Sequence, residues 1–334
     1  MIRSPAFWSH TGWESYLLSP LSRAVSAVTT RRIARAGWHA PVPVICCGNA
    51  TIGGAGKTTL ALDLAHRLKA RGIAAHVLLR GYRGAPKASR RVDRGDSVSI
   101  TGDEALLLAE VAPTWTGADR AESARGAIAA GAEVLVMDDG LQNPSLNKTL
   151  SALVVDGTTG FGNGCVLPAG PLRERVETAA SRCRVAVLIG PDINGAATRL
   201  PPMLTVLRAD LVQGDEILDL IGRPVLAFTG IAIPDKFFTA LERAGVKLVS
   251  REAFADHHVF TSAELTLLHE SAKARNAVLV TTPKDAVRLP AGVSVNVVGV
   301  RLVWRVEAAI EALLDEVVCV QLLNSPPNAS QSVG

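Results

Sequence analysis

Short apolar runs alternate with amphipathic segments along the first half of the chain. The runs have the length of buried strands and lie at 44–47, 75–79, 134–137 and 153–155. The segments with a helical repeat lie at 57–68, 104–110 and 121–130. Strands that alternate with helices in this way predict an α/β fold with a mostly parallel sheet and helices on both faces.

The same alternation begins again after Asp210. Further strands are predicted at 225–228, 246–249, 278–281 and 295–300, and further helices at 235–244 and 262–275. We therefore predict a first α/β domain over 37–222 and a second, smaller α/β lobe over 223–322, with no internal repeat between them. The tail, 323–334, is rich in Ser, Pro and Asn and is predicted to be disordered.

The first 36 residues have a different pattern. Large apolar residues recur at mostly i, i+4 spacing, and three arginines follow them; the residues are Trp13, Leu17, Leu21, Val25, Val28, Arg31, Arg32 and Arg35. This is typical of an amphipathic helix with a basic end, and polar residues interrupt it too often for a membrane span. Two interpretations stay open, a helix packed on the protein's own core and a helix lying on a membrane surface.

Composition, charge and cysteine spacing exclude a few classes of protein and kinds of site. Of the 334 residues, 48% are hydrophobic and 4% aromatic, which favours a packed α/β protein over a disordered chain or an aromatic-rich β-sandwich. The net charge is +4 without a block of consecutive basic residues, so we expect no nucleic-acid partner. The five cysteines lack the CxxC spacing of metal sites and are predicted to be reduced thiols in the cytosol.

The strongest chemical signal is a glycine-rich turn between the first strand and the first helix of the domain. It comprises Thr51, Ile52, Gly53, Gly54, Ala55, Gly56, Lys57 and Thr58. Glycines let backbone N–H groups approach phosphate oxygens, Lys57 would reach the β- and γ-phosphates of ATP, and the Thr58 hydroxyl would bind Mg²⁺. The strict P-loop pattern begins with Gly where this chain has Thr51. The alternative is a glycine turn before an ordinary helix.

A second signal is the apolar run 134–137, which ends in Asp138 and Asp139. A strand of this kind in P-loop NTPases sets a carboxylate beside Mg²⁺. Acidic residues at strand ends are also common as solvated turn residues or helix caps. With the P-loop upstream, we expect Asp138 or Asp139 to contact the metal or a water.

Several nucleotide-binding classes are disfavoured. The glycines do not form the GxGxxG of dinucleotide-binding folds, and Leu150 stands where a GTPase requires the Asp of NKxD. A partitioning-type ATPase carries a Lys where this chain has Ile52. An ATP-dependent phosphotransferase and a nucleotide-driven switch, such as a metallochaperone NTPase, remain.

Eight segments together resemble the tetraacyldisaccharide 4′-kinases. They are GNATIGGAGKTT from 48, RGYRG from 80, TGDEALLLA from 101, DDGLQ from 138, LPAGPLRE from 167, AFTGIAIPDKFF from 227, FADHHVF from 254 and TTPKDAVRL from 281. The resemblance extends from the N-terminal segment to about Val300. Leu141, Arg175 and the Ala232-Ile233 pair depart from the residues usual in that family, which affects local loop shape only.

The resemblance implies a P-loop kinase that uses Mg-ATP to phosphorylate the 4′ hydroxyl of an acylated disaccharide 1-phosphate, forming the lipid A precursor. It also implies a location at the cytoplasmic face of the inner membrane of Gram-negative bacteria. The substrate lies in a bilayer, so the N-terminal helix would bring the active site to the anionic surface.

Site residues follow from the same resemblance. Asp103 would be the base that accepts the hydroxyl proton, and His257 would orient it. Asp138 and Asp139 would serve Mg²⁺ and the reacting phosphate. Contacts to the lipid substrate are expected from Arg80, Arg83, Arg173, Arg175 and Gln142. Without the resemblance, His257 would be interpreted as a packing or turn-capping histidine.

Overall fold

The computed structural model describes residues 5–81, 88–290 and 292–324, with side chains described as far as residue 319. In chain order the strands are β1 (Val44–Gly48), β2 (Ala75–Leu79), β3 (Arg90–Arg91), β4 (Thr114–Thr116), β5 (Val134–Asp138), β6 (Leu150–Asp156), β7 (Val185–Ile189), β8 (Thr205–Gln213), β9 (Pro224–Thr229), β10 (Lys247–Ala253), β11 (Val278–Thr281), β12 (Asn296–Val297) and β13 (Val300–Trp304). The α-helices are α1 (Trp13–Ile33), α2 (Lys57–Ala70), α3 (Val98–Thr101), α4 (Asp103–Ala109), α5 (Arg120–Ala129), α6 (Val176–Ala180), α7 (Pro234–Arg243), α8 (Ser262–Ala274), α9 (Pro283–Ala286) and α10 (Glu307–Asn324).

The larger sheet contains β1 near its centre. Within the described residues its strand order is β13-β8-β7-β6-β1-β5-β2-β4-β3, parallel except for β13 and β3 at the two edges. Alternate side chains of β1 enter opposite cores: Ile45 and Cys47 pack on the side of α2 and α10, and Val44 and Cys46 on the side of α5 and α6. Burial on both faces explains the continuous apolar runs, and the predicted α/β class is confirmed.

The smaller sheet has the order β10-β9-β11-β12 within the described residues, with parallel pairing throughout. Phe237, Phe238 and Leu241 of α7 cover one face, and Leu265 and Leu268 of α8 cover the other. A second α/β unit therefore begins at β9, near the predicted Pro224.

The chain then returns to the larger sheet, which the sequence did not predict. The run expected as one strand at 295–300 is divided: β12 belongs to the smaller sheet, and β13 pairs antiparallel with β8. Side chains of β13 and α10 are buried in the core between the larger sheet and α2; they are Leu302, Trp304, Ile310 and Leu314. Residues 300–319 thus pack with the first unit, whereas 223–322 was expected to form one lobe.

The N-terminal helix α1 buries its polar side. Ser22 donates its hydroxyl to the Val166 carbonyl at 2.7 Å and is buried, while Trp13 and Leu17 are 71% and 69% exposed. The residues of the predicted apolar stripe are therefore exposed, and α1 contacts the rest of the protein through its polar side. Among the described residues, no helix combines the length and apolar character needed to cross a bilayer.

Candidate active site

The P-loop lies at the carboxyl end of β1 and leads into α2, which begins at Lys57. Gly53 and Gly56 have φ of 114° and 89°, a region that residues with a side chain rarely adopt, so the glycines are needed for this turn. The Lys57 ammonium donates to the Gly53 carbonyl at 3.4 Å and lies 3.8 Å from the Asp139 Oδ1 atom. Lys57 thus lies across its own loop, as a phosphate-binding lysine does.

Asp138 ends β5, the strand beside β1, so its side chain meets the P-loop at one edge of the sheet. The Thr58 hydroxyl donates to Asp138 Oδ2 at 2.8 Å, and Asp138 Oδ1 is buried without a hydrogen-bond partner among the described residues. Burial raises the pKa of Asp138 to about 7, and the charge of Glu104 adds to this effect. An unpartnered buried carboxylate oxygen beside a hydroxyl fits Mg²⁺, which prefers oxygen ligands.

Asp139 has the opposite surroundings. The Arg173 guanidinium donates to both of its carboxylate oxygens, at 2.7 and 3.0 Å, and Lys57 lies nearby. Burial alone would raise the pKa of Asp139, but Lys57 and Arg173 outweigh it and hold that pKa below its usual range. Asp139 also has φ of 54°, which is strained for a residue with a side chain.

Arg173 and Gln142 take part in a network within the protein. Gln142 Nε2 donates to the Asn49 carbonyl at 2.8 Å and to Glu174 Oε1 at 2.9 Å, and its Oε1 accepts from Arg173 at 3.3 Å. The Arg173 N–H also donates to the Ala50 carbonyl at 2.7 Å. The segment 172–174 is therefore hydrogen-bonded to the start of the P-loop. Arg173 and Gln142, which were expected to contact the substrate, take part in these hydrogen bonds within the protein.

Asp103 and His257 come together although 154 residues separate them. Asp103 starts α4, and His257 lies in the loop after β10, with a distance of 2.8 Å between Asp103 Oδ2 and His257 Nδ1. Asp103 is 2% exposed, and Lys284 Nζ and Arg288 Nε lie 3.7 and 3.5 Å from the same oxygen. Burial alone would raise the pKa of Asp103, but His257 and the two cations outweigh it and hold that pKa below its usual value.

The remaining expected contacts are dispersed. Arg80 follows β2 and is exposed, Arg175 is exposed at the start of α6, and Ile52 of the P-loop is 46% exposed. Arg83 lies outside the described residues.

Four residues of this region were not singled out from the sequence. Arg120 is 2% exposed, and its Nε has no hydrogen-bond partner among the described residues. Both carboxylate oxygens of Asp256 are also buried and have no hydrogen-bond partner among the described residues. Lys284 and Arg288 flank Asp103. The last two lie inside the segment TTPKDAVRL, so the resemblance indicated the segment, but nothing local distinguished these basic residues from surface ones.

The chain is similar to known proteins both in sequence and in fold. A family model described as tetraacyldisaccharide-1-P 4′-kinase matches residues 14–320. Tetraacyldisaccharide 4′-kinases from Gluconacetobacter diazotrophicus and Gluconobacter oxydans are 52% and 48% identical, over 94% of this chain in both cases and over 98% and 97% of the relatives. The crystal structure of LpxK from Aquifex aeolicus in complex with ATP superposes with a TM-score of 0.72 at 24% identity, covering 91% of this chain and 99% of that one.

Proposed function

The chain belongs to the tetraacyldisaccharide-1-P 4′-kinase family, and we propose that it transfers the γ-phosphate of ATP to the 4′ hydroxyl of a tetraacyldisaccharide 1-phosphate. One observation carries the proposal: a buried aspartate, paired with a partly buried histidine, lies beside a P-loop. Helix α4, which begins with Asp103, contacts both α2 of the P-loop and α9 of the second unit. The arrangement supports a nucleotide and an acceptor alcohol meeting between the two units.

The P-loop would bind the phosphates of ATP. Its backbone N–H groups would cradle the phosphates, and Lys57 would neutralise charge on the transferred group. Thr58 and Asp138 would hold Mg²⁺, which when bound supplies further charge neutralisation at the phosphates. Arg173 keeps Asp139 ionised and fixed next to Lys57, so it acts on this site through Asp139.

Asp103 would act on the hydroxyl of the acceptor. Its ionised carboxylate would take the proton from the 4′ hydroxyl as the hydroxyl oxygen bonds to the γ-phosphorus and the bond to ADP breaks. His257 would orient that carboxylate through the 2.8 Å hydrogen bond. The low pKa of Asp103 keeps it ionised at neutral pH, because its cationic neighbours favour the charged form.

We propose that α1 attaches the enzyme to the cytoplasmic face of the inner membrane as a peripheral protein. Its exposed apolar residues, among them Trp13, Leu17 and Leu21, would enter the interface, and Arg31 and Arg32 in its last turn would meet anionic lipid. Ser22 fastens α1 to the loop at Val166 and Ala169, which leads into the segment beside the P-loop. The active site would thus lie near the surface that holds its substrate.

Transfer of label tests the proposed activity. The enzyme is incubated with γ-labelled ATP and detergent-dispersed acceptor, either the disaccharide 1-phosphate or its 4′-deoxy analogue. We expect a labelled bisphosphorylated lipid with the first acceptor and none with the second. Label on the 4′-deoxy compound would mean that another group is phosphorylated, and no labelled lipid from either would favour a nucleotide-driven switch.

A further inference from the structure

Arg288 is a buried cation of the second unit, and its contacts surround the His257 loop. Its side chain is 0% exposed, and its Nη2 lies 3.2 Å from the buried Asp285 Oδ1. Its Nη1 donates to the carbonyls of Gly230 at 3.0 Å and His258 at 3.2 Å. Only a planar guanidinium presents donors in such a fork, so a lysine would not replace it.

The Gly230 carbonyl joins Arg288 to His257. That carbonyl accepts from Arg288 and also from the His257 backbone N–H at 3.0 Å, while the Gly230 N–H donates to Asp285 Oδ1 at 2.8 Å. Arg288 therefore fixes the backbone on both sides of His257, through Gly230 before it and through His258 after it. Asp285 is itself held by the hydroxyls of Thr229 and Thr282, both at 2.5 Å.

His257 needs such support because of its backbone conformation. Its φ of 60° lies in the left-handed region, which is uncommon for a residue with a side chain and persists only where the surroundings hold it. In this conformation the imidazole reaches across to Asp103 of the first unit. Arg288 Nε also lies 3.5 Å from Asp103 Oδ2, so the same guanidinium lies beside Asp103 and holds the backbone next to His257.

We propose that Arg288 is a positioning residue for phosphoryl transfer, which holds His257 in its left-handed conformation and against Asp103. The proposal rests on the proposed function for its kinetic consequence alone. Its structural consequence, the placement of the His257 ring, is measurable without turnover.

Kinetics of Arg288→Met give the first test, with Arg275→Met as the matched control, because Arg275 is an exposed arginine of the same unit. General-base catalysis is worth about 10²–10⁴-fold, so we expect Arg288→Met to lose about ten- to a hundredfold in kcat with little change in the KM for ATP. Arg288→Lys should stay impaired, because one ammonium does not hold two carbonyls and Asp285. In a His257→Ala background the further loss should nearly vanish. Full additivity would overturn the proposal.

Histidine NMR gives the second test and needs no acceptor. In ¹⁵N-histidine-labelled enzyme, with the His257 signals assigned by their loss in His257→Gln, the Nδ1 should carry the proton held by Asp103. Arg288→Met should move these signals toward those of a solvated histidine, and Arg275→Met should leave them in place. Unchanged His257 signals in a folded Arg288→Met protein would overturn the proposal, whether or not the enzyme proves to be a lipid kinase.

Gly230→Ala provides a second route if Arg288→Met does not fold. An added Cβ would lie 2.9 Å from the Ala255 carbonyl oxygen and 3.3 Å from Arg288 Nη1, so it crowds the same loop while keeping the buried ion pair. We expect the same loss in kcat and the same displacement of the His257 signals. Wild-type kinetics together with wild-type signals in this variant would contradict the proposal.

Discussion

Asp138 and Asp139 are adjacent residues whose carboxylates have opposite surroundings. Asp138 is buried with one oxygen unpartnered, and burial raises its pKa to about 7. Asp139 is paired with Arg173 and lies near Lys57, and its pKa is held below its usual range. We therefore expect separate roles for them, since Asp138 Oδ1 has no hydrogen-bond partner among the described residues while Asp139 lies beside the lysine.

Replacement of Lys57 tests the nucleotide half of the site. Lys57→Ala removes the cation expected to neutralise the transferred group, so we expect a loss of about 10²–10³-fold in turnover with the fold intact. The matched control is Lys69→Ala, which removes an exposed lysine from the same helix. Wild-type turnover in a folded Lys57→Ala protein would contradict the P-loop assignment.

Replacement of Thr58 tests the metal site. Thr58→Ala removes the hydroxyl that donates to Asp138, and we expect a loss of activity that added Mg²⁺ partly restores. Thr58→Ser keeps the hydroxyl and should retain most activity. Titrating Mg²⁺ against rate for the three proteins gives the comparison, and an Ala variant insensitive to Mg²⁺ would indicate another role for Thr58.

Replacement of Asp103 and His257 tests the acceptor half. Each alanine variant should lower kcat with a smaller effect on the apparent affinity for ATP, because both residues are proposed to act on the acceptor proton. The double variant should be little worse than the poorer single one, since the pair acts as a unit. His66→Ala, an exposed histidine of α2, serves as control. Additive losses would mean that the two residues act independently.

At the scale of elements, the sequence predicted most of the strands that are buried on both faces, but not β7, which is buried along its whole length. Strands β1, β2, β5 and β11 lie where the apolar runs predicted them. A central parallel strand is buried on both faces, so its sequence is continuously apolar. The division at 295–300 was not predicted, since the pairing of β13 with β8 joins residues about ninety positions apart. Asp103 and His257 likewise came from the resemblance, because no local pattern reports a contact across two units.

Helix α10 provides an element-scale prediction, because it packs on the first core through residues such as Leu314, which is 1% exposed. Leu314→Ala should lower the free energy of unfolding of the first unit by about 2–5 kcal/mol. Leu267→Ala, at a 64% exposed leucine of α8, should change it by less than about 0.5 kcal/mol. Urea unfolding of both variants measures this, and equal midpoints would contradict the packing of α10 on the first unit.

At the scale of the whole molecule, α1 should connect the enzyme to its membrane. Leu17→Ser combined with Leu21→Ser removes apolar area from two exposed positions, so folding should be unaffected while flotation with anionic liposomes falls. Leu267→Ser is the matched control. High salt should remove only the share due to the arginines, about 1 kcal/mol each. If the double variant floats as well as the wild type at high salt, α1 does not hold the enzyme on the membrane.

The central claim is that ATP is consumed by transfer to the lipid acceptor. The most direct test measures ADP release and labelled bisphosphorylated lipid in the same reaction, with and without the disaccharide 1-phosphate. A kinase should release one ADP for each lipid labelled and little ADP without the acceptor, and the folded Lys57→Ala protein should do neither. ADP release at the same rate with and without acceptor, with no labelled lipid, would contradict the account.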